Sequence, residues 1–384
     1  MSGRDDAVDV AWNAARERSW RPRRGLEDQA RSLHQALDGY APSPLHTAPS
    51  LAAELGLGAV LLKDESSRFG LPAFKALGAW WATAWAVAER LGEPALATEP
   101  EGLRERARGS GLTLVCATEG NHGRAVARAA RGLGLAAHVV MTEGSVATRV
   151  AAIEAEGALV ELVEGCYDAA VHRAAELADD RHLVIADTSW PGYEEVPRRV
   201  VEGYATIFAE LDEQLDGRSV DLVVVPIGVG SLAAAAARHF RATPGDRPRL
   251  VGLEPIDAAC ALASARAGKP VTVDGELSSI MAGLNCPTPS QDAWPQVAAA
   301  FDVFCAIGDG HVLWGIRRLA AEGLDRGGCA GGVVGGLRAL LSDPARREAL
   351  DLPEDPTALL ILTEGVTDPA VFAAAVGREP ASPR

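Results

Sequence analysis

The sequence predicts a fold of the α/β class, in which helices cover parallel sheets. Three observations lead to this class. The chain has 384 residues, which is long enough for two domains, and 48% of them are apolar and 23% charged, an ordinary globular balance. Short apolar runs alternate with helical patterns along the chain, as βαβ units require. The strand candidates are four to six residues long, far shorter than a membrane helix.

The elements follow in chain order. Residues 1–30 are rich in charge and predict a solvated helix and linker, and residues 41–49 contain three prolines and predict an extended segment. Strands are predicted at 60–63, 112–117, 136–141, 158–162, 182–186, 222–225, 250–253 and 358–362. Helices are predicted at 73–91, 123–133, 146–156, 168–177, 193–215, 232–240, 312–322 and 333–341. This order predicts two sheets, one of them near residues 113–187.

The charge balance argues against several classes of protein. There are 37 basic and 52 acidic residues, and a net charge of -15 disfavours binding to nucleic acid or to an anionic membrane. The N-terminus has no apolar segment typical of a secretory signal. Six scattered cysteines without a CxxC pair indicate neither a disulfide framework nor a zinc site. We therefore expect a cytoplasmic protein with a small-molecule substrate and without a metal.

Lysine is scarce in this chain. Only Lys63, Lys75 and Lys269 are lysines, whereas arginine supplies the other positive charges. Arginine cannot replace a lysine that acts as a nucleophilic amine, because the guanidinium stays protonated. Each lysine is therefore a stronger functional candidate than usual.

The first candidate site is Lys75, within the segment RFGLPAFKALG. Pro72 favours a helix start, which places Lys75 in the first helical turn. The positive end of the helix dipole and apolar neighbours such as Phe74 favour the neutral amine that a Schiff-base lysine requires. An ordinary surface lysine is the alternative interpretation.

The second candidate is the turn Thr118-Glu119-Gly120-Asn121-His122, between a predicted strand and a predicted helix. Successive backbone N–H groups at such a turn suit a carboxylate ligand. Alternatively, Asn121 caps the helix and His122 is a packed core histidine. Glu119 is unfavourable beside an anion site, which points to a functional role.

The third candidate is Gly228-Val229-Gly230-Ser231-Leu232, which follows an apolar run and opens a helix. Glycines let backbone N–H groups approach an anion closely, so the loop can hold one phosphate. It also fits the dinucleotide pattern GxGxxA, with Glu254 as the acidic ribose partner. A third interpretation is a strand-to-helix turn without a ligand.

Asp187 and Thr363 are two further candidates. Each follows a predicted strand, at the sheet edge where ligands bind in α/β proteins.

Together these segments resemble the fold-type II pyridoxal-phosphate (PLP) enzymes, the tryptophan synthase β-like family that includes threonine dehydratase and cysteine synthase. More narrowly, the chain is similar to the diaminopropionate ammonia-lyases. The similarity is carried by the stretch KDESSRFGLPAFKALG at residues 63–78 and by residues 118–124, 187–190, 281–286 and 363–369.

The resemblance implies a role for each candidate. Lys75 would form the imine bond with the cofactor aldehyde and later move the Cα proton of the substrate. Residues 228–232 would hold the cofactor phosphate. Asn121 would bond the ring hydroxyl and Thr363 would face the pyridine nitrogen. The turn at 118–122 would receive the substrate carboxylate.

The implied reaction is α,β-elimination, most simply of 2,3-diaminopropionate to pyruvate and ammonia. In the family, acidic residues at the positions of Glu119 and Asp187 act as bases for the two substrate enantiomers. The family usually has aspartate where this chain has Glu119, and a shift of the carboxylate by ~1 Å is costly in rate. We therefore expect weakened action on the D enantiomer.

Other interpretations stay open at this stage. The same cofactor and fold support β-replacement or a serine or threonine dehydratase-like reaction, and a nicotinamide (NAD)-dependent enzyme is a remote alternative. The resemblance implies a large PLP-binding domain of residues 1–75 plus 201–384, an inserted smaller domain of residues 76–200, and two three-layer αβα domains with a cleft between them. It also implies a homodimer.

Overall fold

The computed structural model describes residues 4–165, 167–242 and 248–381, so Cys166 lies outside the described residues. The chain forms two compact units. The first comprises Met1–Arg23, Pro42–Ser67 and Ile207–Arg384, and the second comprises Arg24–Ala41 and Arg68–Thr206. These units assign residues 24–41, 68–75 and 201–206 differently from the expected domains, so Lys75 belongs to the second unit. The domain assignment itself stays a prediction.

The helices and strands alternate along most of the chain. The strands are β1 (Val8–Trp12), β2 (Leu45–Thr47), β3 (Ala59–Asp64), β4 (Thr113–Ala117), β5 (Ala136–Thr142), β6 (Leu159–Val163), β7 (His182–Val184), β8 (Leu222–Pro226), β9 (Arg249–Pro255), β10 (Val303–Ile307) and β11 (Thr357–Leu362). The longer helices are α1 (Glu27–Ala36), α2 (Pro49–Leu55), α3 (Lys75–Arg90), α4 (Pro100–Ala107), α5 (Asn121–Leu133), α6 (Ala147–Glu154), α7 (Tyr167–Glu176), α8 (Glu195–Leu215), α9 (Ser231–Phe240), α10 (Cys260–Ala267), α11 (Trp294–Ala300), α12 (Asp309–Ala321), α13 (Gly328–Leu341), α14 (Pro344–Ala349) and α15 (Pro369–Val376). The α/β class predicted from the sequence is confirmed.

The first unit is built on a seven-stranded sheet of order β1-β10-β9-β8-β11-β3-β2. Its five central strands are parallel, whereas β1 and β2 pair antiparallel at the two edges. The central strands are apolar on both faces because helices cover them, as parallel sheets require. In particular, β8 and β11 are neighbours in register, with Leu222 opposite Ala358, so the loops that follow them leave the same sheet edge.

The second unit contains a parallel four-stranded sheet of order β6-β5-β4-β7. This is the sheet predicted near residues 113–187. Helix α5 follows β4 with a sharp change of direction at Gly120, whose φ of 145° is unfavourable for any residue with a Cβ. The carboxyl ends of β4 and β7 lie side by side, which brings the segments after Ala117 and after Val184 to one edge.

Helix α3 and the first part of α8 approach each other closely within the second unit. A Cβ placed on Gly78 would lie 2.6 Å from Tyr204 Cε1, and one placed on Gly203 would lie 2.7 Å from the Leu77 carbonyl oxygen. Glycine at both positions therefore permits this contact, since a larger residue would force the helices apart. This contact with α8 fixes the position of α3, whose first residue is Lys75.

Some elements differ from the sequence-based prediction. The solvated helix predicted for residues 1–30 is wrong in part, because residues 8–12 form an antiparallel edge strand on β10. Strand β10 and helices α2, α4, α10 and α11 were not predicted. Among the described residues, no helix combines the length and the apolar content needed to span a bilayer.

Candidate active site

Lys75 is the first residue of α3, as the sequence predicted. The chain reaches it through a tight turn in which Arg68 and Leu71 pair with each other, while Phe69 and Gly70 both have positive φ angles, 53° and 71°. The Arg68 side chain is almost fully buried and donates a hydrogen bond of 3.0 Å to the carbonyl of Ala41. The turn before Lys75 is thus fixed by buried contacts.

Lys75 and Asp187 form a short ion pair. The Lys75 Nζ donates to Asp187 Oδ2 at 2.5 Å, and the two side chains are 19% and 9% exposed. Burial alone would raise the pKa of Asp187, but the charges of Lys75 and His122 and the hydrogen bond from Lys75 lower it to about 2. Asp187 is therefore ionised at neutral pH and holds the amine by a charge-assisted hydrogen bond.

His122 lies on the other side of Asp187. Its Nε2 donates to the Ile185 carbonyl at 2.8 Å, and its Nδ1 lies 4.0 Å from Asp187 Oδ2. Burial lowers the pKa of His122 more than the charge of Asp187 raises it, so the imidazole is neutral at pH 7. Since Nε2 carries the proton, Nδ1 is available to accept one.

The turn at residues 118–122 is closed by Thr118. Its Oγ1 accepts the N–H groups of Gly120 at 2.9 Å and of Gly123 at 3.0 Å, and the side chain is 3% exposed. Gly120 occupies the N-cap position of α5 and Asn121 is the first helical residue. The alternative interpretation of Asn121 as the helix cap is therefore wrong.

Glu119 is half-buried on this turn. Burial raises the pKa of its carboxyl group, and the nearby charge of Arg149 lowers it. Arg149 also donates a long hydrogen bond of 3.4 Å from Nη1 to the Glu119 carbonyl. Glu119 is thus an acidic group whose protonation depends on a specific neighbour.

In the first unit, residues 227–230 connect β8 to α9 and form what we call the glycine loop. Gly230 has a φ of 102°, and a Cβ on Gly228 would lie 3.1 Å from the Gly283 carbonyl oxygen and 3.2 Å from Cys286 Sγ. Only glycine fits both positions without strain or displacement. The buried Ser231 begins α9, so the loop directs the positive end of a helix toward its ligand side.

Thr363 follows β11, at the sheet edge where the glycine loop follows β8, and it is 4% exposed. The next residue, Glu364, accepts the Cys329 N–H at 3.1 Å in the first turn of α13. The sequence did not reveal this contact, because nothing local connects two residues that are 35 positions apart.

Glu254 has a structural role rather than the ligand-binding role of the nicotinamide interpretation. It is fully buried, its Oε1 accepts the Ala261 N–H at 2.7 Å, and its Oε2 accepts the Leu262 N–H at 2.8 Å. A ribose partner needs an oxygen that faces the ligand, and both oxygens are used at the N-terminus of α10. The dinucleotide interpretation of the loop is therefore wrong.

The structure thus brings Lys75, Asp187 and His122 together within the second unit. His122 belongs to the turn at 118–122, which follows β4. The glycine loop and Thr363 lie together in the first unit.

Two residues that sequence reasoning missed are Arg149 and Tyr204. Tyr204 is fully buried and packs on Phe74, with ring centroids 4.7 Å apart. Both lie on ordinary helices without a motif.

The fold and these side chains define a class of enzyme. Residues 36–364 match the family described as pyridoxal-phosphate dependent enzyme, and the chain belongs to this family. Its fold is therefore of type II, in agreement with the sequence-based expectation.

The chain is similar to the diaminopropionate ammonia-lyases within this family. The chain is 36% identical over 365 residues to diaminopropionate ammonia-lyase of Salmonella typhimurium, a match that covers 89% of each chain. It is 35% identical to the Escherichia coli enzyme of the same name, over 88% of each chain. The crystal structure of the Escherichia coli enzyme in complex with D-serine superposes with a TM-score of 0.89 at 31% identity, covering 98% of each chain. Maize serine racemase, at 22% identity and a TM-score of 0.71, shares the fold.

The residues present fit pyridoxal phosphate. Glycine at position 228 lets the loop before α9 pack against Gly283 and Cys286, and the positive end of the α9 dipole favours the charge of a phosphate. Lys75 supplies the primary amine that an aldehyde needs. The buried Thr363 offers a neutral hydroxyl group, which suits an unprotonated pyridine nitrogen.

Proposed function

We propose that this protein is a PLP-dependent lyase that eliminates ammonia from 2,3-diaminopropionate. With one water consumed, the products are pyruvate and two molecules of ammonia. The observation that supports this proposal most directly is the 2.5 Å pair of Lys75 and the buried, ionised Asp187. The diaminopropionate ammonia-lyases that match most of the chain support the choice of substrate.

The cofactor-binding roles follow from the local geometry of each unit. We propose that residues 228–232 bind the phosphate through backbone N–H groups and the Ser231 hydroxyl, and that Thr363 faces the pyridine nitrogen. Asn121 bonds the ring hydroxyl. When bound, pyridoxal phosphate acidifies the Cα–H bond of an amino acid attached to it, because the ring accepts the electron pair.

The side chains around Lys75 move the protons. Asp187 is ionised, so it can accept the Cα proton of the L enantiomer, and Glu119 has the same role for the D enantiomer. His122 can then accept a proton at Nδ1, which faces Asp187 at 4.0 Å. The turn at 118–122 receives the substrate carboxylate. An amine leaves readily only as a protonated group, and Lys75, once it is released from the cofactor and has received the Cα proton from Asp187 across their hydrogen bond, would deliver that proton to the leaving amine.

The first test is the covalent attachment of the cofactor. We expect borohydride reduction of the cofactor-loaded protein, followed by peptide mass mapping, to modify Lys75. Lys75→Ala should lose the cofactor absorbance and at least about 10²-fold in turnover, because both the attachment point and a proton-transfer group are removed. The matched control is Lys269→Ala, which removes an exposed lysine. Modification at another lysine, or full turnover by Lys75→Ala, would contradict the proposal.

Three finer points are part of the same proposal. Because Glu119 replaces the usual aspartate, action on the D enantiomer is weaker than on the L enantiomer, and parallel turnover assays compare the two. The similarity to bacterial enzymes supports a cytoplasmic location. The resemblance to the family supports a homodimer, which sedimentation can test.

A further inference from the structure

Helix α6 places Arg149 directly on the turn at residues 118–122. The stem of Arg149 covers Gly120, since a Cβ on Gly120 would lie 3.1 Å from Arg149 Cδ, 3.6 Å from its Cγ and 3.7 Å from its Cβ. The guanidinium reaches past Gly120 to donate to the Glu119 carbonyl at 3.4 Å. Arg149 therefore contacts two successive residues of the turn with different parts of one side chain.

The Glu119 carboxyl group depends on this neighbour for its charge. In the part of the chain that the structure describes, Arg149 is the charged side chain whose field acts on Glu119. The other charged or titratable groups nearby are directed elsewhere, since Lys75 pairs with Asp187 and the His122 Nδ1 faces the same Asp187. Burial opposes ionisation, so Glu119 without Arg149 would hold its proton to higher pH.

We propose that Arg149 is a positioning residue that fixes the Glu119–Gly120 backbone and places its guanidinium charge beside the turn, so that Glu119 serves as the base for the D enantiomer. The inference rests on the proposed function for the identity of the reaction. The inference adds Arg149, which lies outside every motif in the sequence. It assigns enantiomer selectivity to Arg149 and Glu119 together rather than to Glu119 alone.

The test is a direct titration of Glu119 in the cofactor-loaded protein. Infrared difference spectroscopy follows the C=O stretch of the protonated acid, which is assigned to Glu119 by its loss in Glu119→Gln. In Arg149→Met, which keeps an apolar stem, we expect the titration midpoint to rise by about one pH unit, a tenfold change in the ratio of ionised to protonated Glu119 at a given pH. Arg149→Lys retains the charge and should stay close to the wild-type midpoint.

The matched control is Arg173→Met, which removes a half-exposed arginine that pairs with Glu161 on the same sheet. This variant should leave the Glu119 midpoint unchanged. An unchanged midpoint in Arg149→Met, or an equal rise in Arg173→Met, would overturn the inference.

Kinetics provide the second readout. At a pH below both the wild-type and the shifted midpoint, the ratio of D to L turnover should fall about tenfold in Arg149→Met and be restored in Arg149→Lys. A merely structural role would lower both rates together and leave the ratio unchanged, which would also overturn the inference. Absence of turnover of either enantiomer by the wild-type protein would instead overturn the proposed function, and the infrared titration would still decide whether Arg149 controls the charge of Glu119.

Discussion

Two buried tyrosines, Tyr204 and Tyr193, differ in the surroundings of their hydroxyl groups. The side chain is fully buried against Phe74 and Gly78, and its Oη has no hydrogen-bond partner among the residues that the structure describes. Leaving a buried polar group unsatisfied costs about 1–3 kcal/mol. By contrast, the Tyr193 hydroxyl donates to the Val184 carbonyl at 2.6 Å and accepts the Ala186 N–H at 3.1 Å.

The same substitution should therefore have opposite effects at the two tyrosines. We expect Tyr204→Phe to raise the free energy of unfolding by about 1 kcal/mol, and Tyr193→Phe to lower it by about 1–3 kcal/mol. Urea titration followed by circular dichroism measures both. Equal destabilisation of the two variants would show that the Tyr204 hydroxyl has a partner in solution.

The scarcity of lysine was a useful signal, but it did not separate function from structure. Lys63 is fully buried, and its Nζ donates to the Ser43 carbonyl at 2.9 Å, to Glu210 Oε2 at 2.8 Å and to Gln214 Oε1 at 2.9 Å. Three acceptors satisfy its three donors, so this lysine is a structural cation. Only the surrounding contacts, which the sequence does not show, distinguish it from Lys75.

At the scale of one helix, Glu254, which accepts two N–H groups at the N-terminus of α10, makes the free energy of unfolding depend on pH. Burial raises the pKa of Glu254 from 4.5 to about 8, although two backbone N–H bonds favour the ionised form. Between these two values the folded protein keeps a proton that the unfolded chain has lost. The unfolded state therefore binds fewer protons, and the free energy of unfolding falls as the pH rises.

Replacing this carboxyl group should remove that pH dependence. From pH 5 to pH 7.5 we expect the stability of the wild-type protein to decrease by about 3 kcal/mol relative to Glu254→Gln. Urea midpoints at several pH values give the difference, with Glu276→Gln as the control because Glu276 is exposed. Parallel pH profiles for the wild-type protein and Glu254→Gln would refute this role.

The elements that the sequence predicted well are those with a local signal. Strands β8 and β11 are continuous apolar runs, and the starts of α3 and α9 are marked by Pro72 and by the glycine loop. Strand β1 carries only a short alternating pattern within a charged segment, and it is stabilised by pairing Val8 with Ile307, almost 300 residues away. Its partner β10 is a continuous apolar run that the prediction missed, whereas the pairing of the two strands is not visible in a window of sequence.

At the scale of the whole molecule, several buried carboxylates should make the protein sensitive to acid. The pKa values of Asp64, Glu156 and Asp187 are lowered by their cationic partners, against the effect of burial. A lowered pKa contributes stability that is fully present above the unfolded value and is lost as the pH falls through the folded value. For Asp187, whose pKa falls from 3.8 to about 2, this contribution is about 2 kcal/mol.

We therefore expect a steep loss of stability between about pH 4 and pH 2, measured by urea denaturation at each pH. Asp64→Asn should start less stable at pH 7, because Arg326 loses its partner, and should then lose less on acidification. An acid-insensitive wild-type protein would contradict this expectation.

The turns of the candidate site had a local signal in the sequence, because they depend on glycine, proline and a scarce lysine, whereas the roles of their residues stay predictions. What the sequence could not predict were long-range contacts, such as Arg149 on Gly120 and Glu364 on Cys329. These contacts depend on how separate elements pack, and no residue type in the sequence predicts them.

The distribution of the three lysines has a practical consequence. Lys63 is enclosed and Lys75 is held by Asp187, whereas Lys269 is exposed. Reagents that acylate primary amines therefore meet one accessible side chain besides the α-amino group, because guanidinium groups do not react with them. Among lysine side chains, Lys269 is therefore the preferred point of attachment for a dye or a solid support.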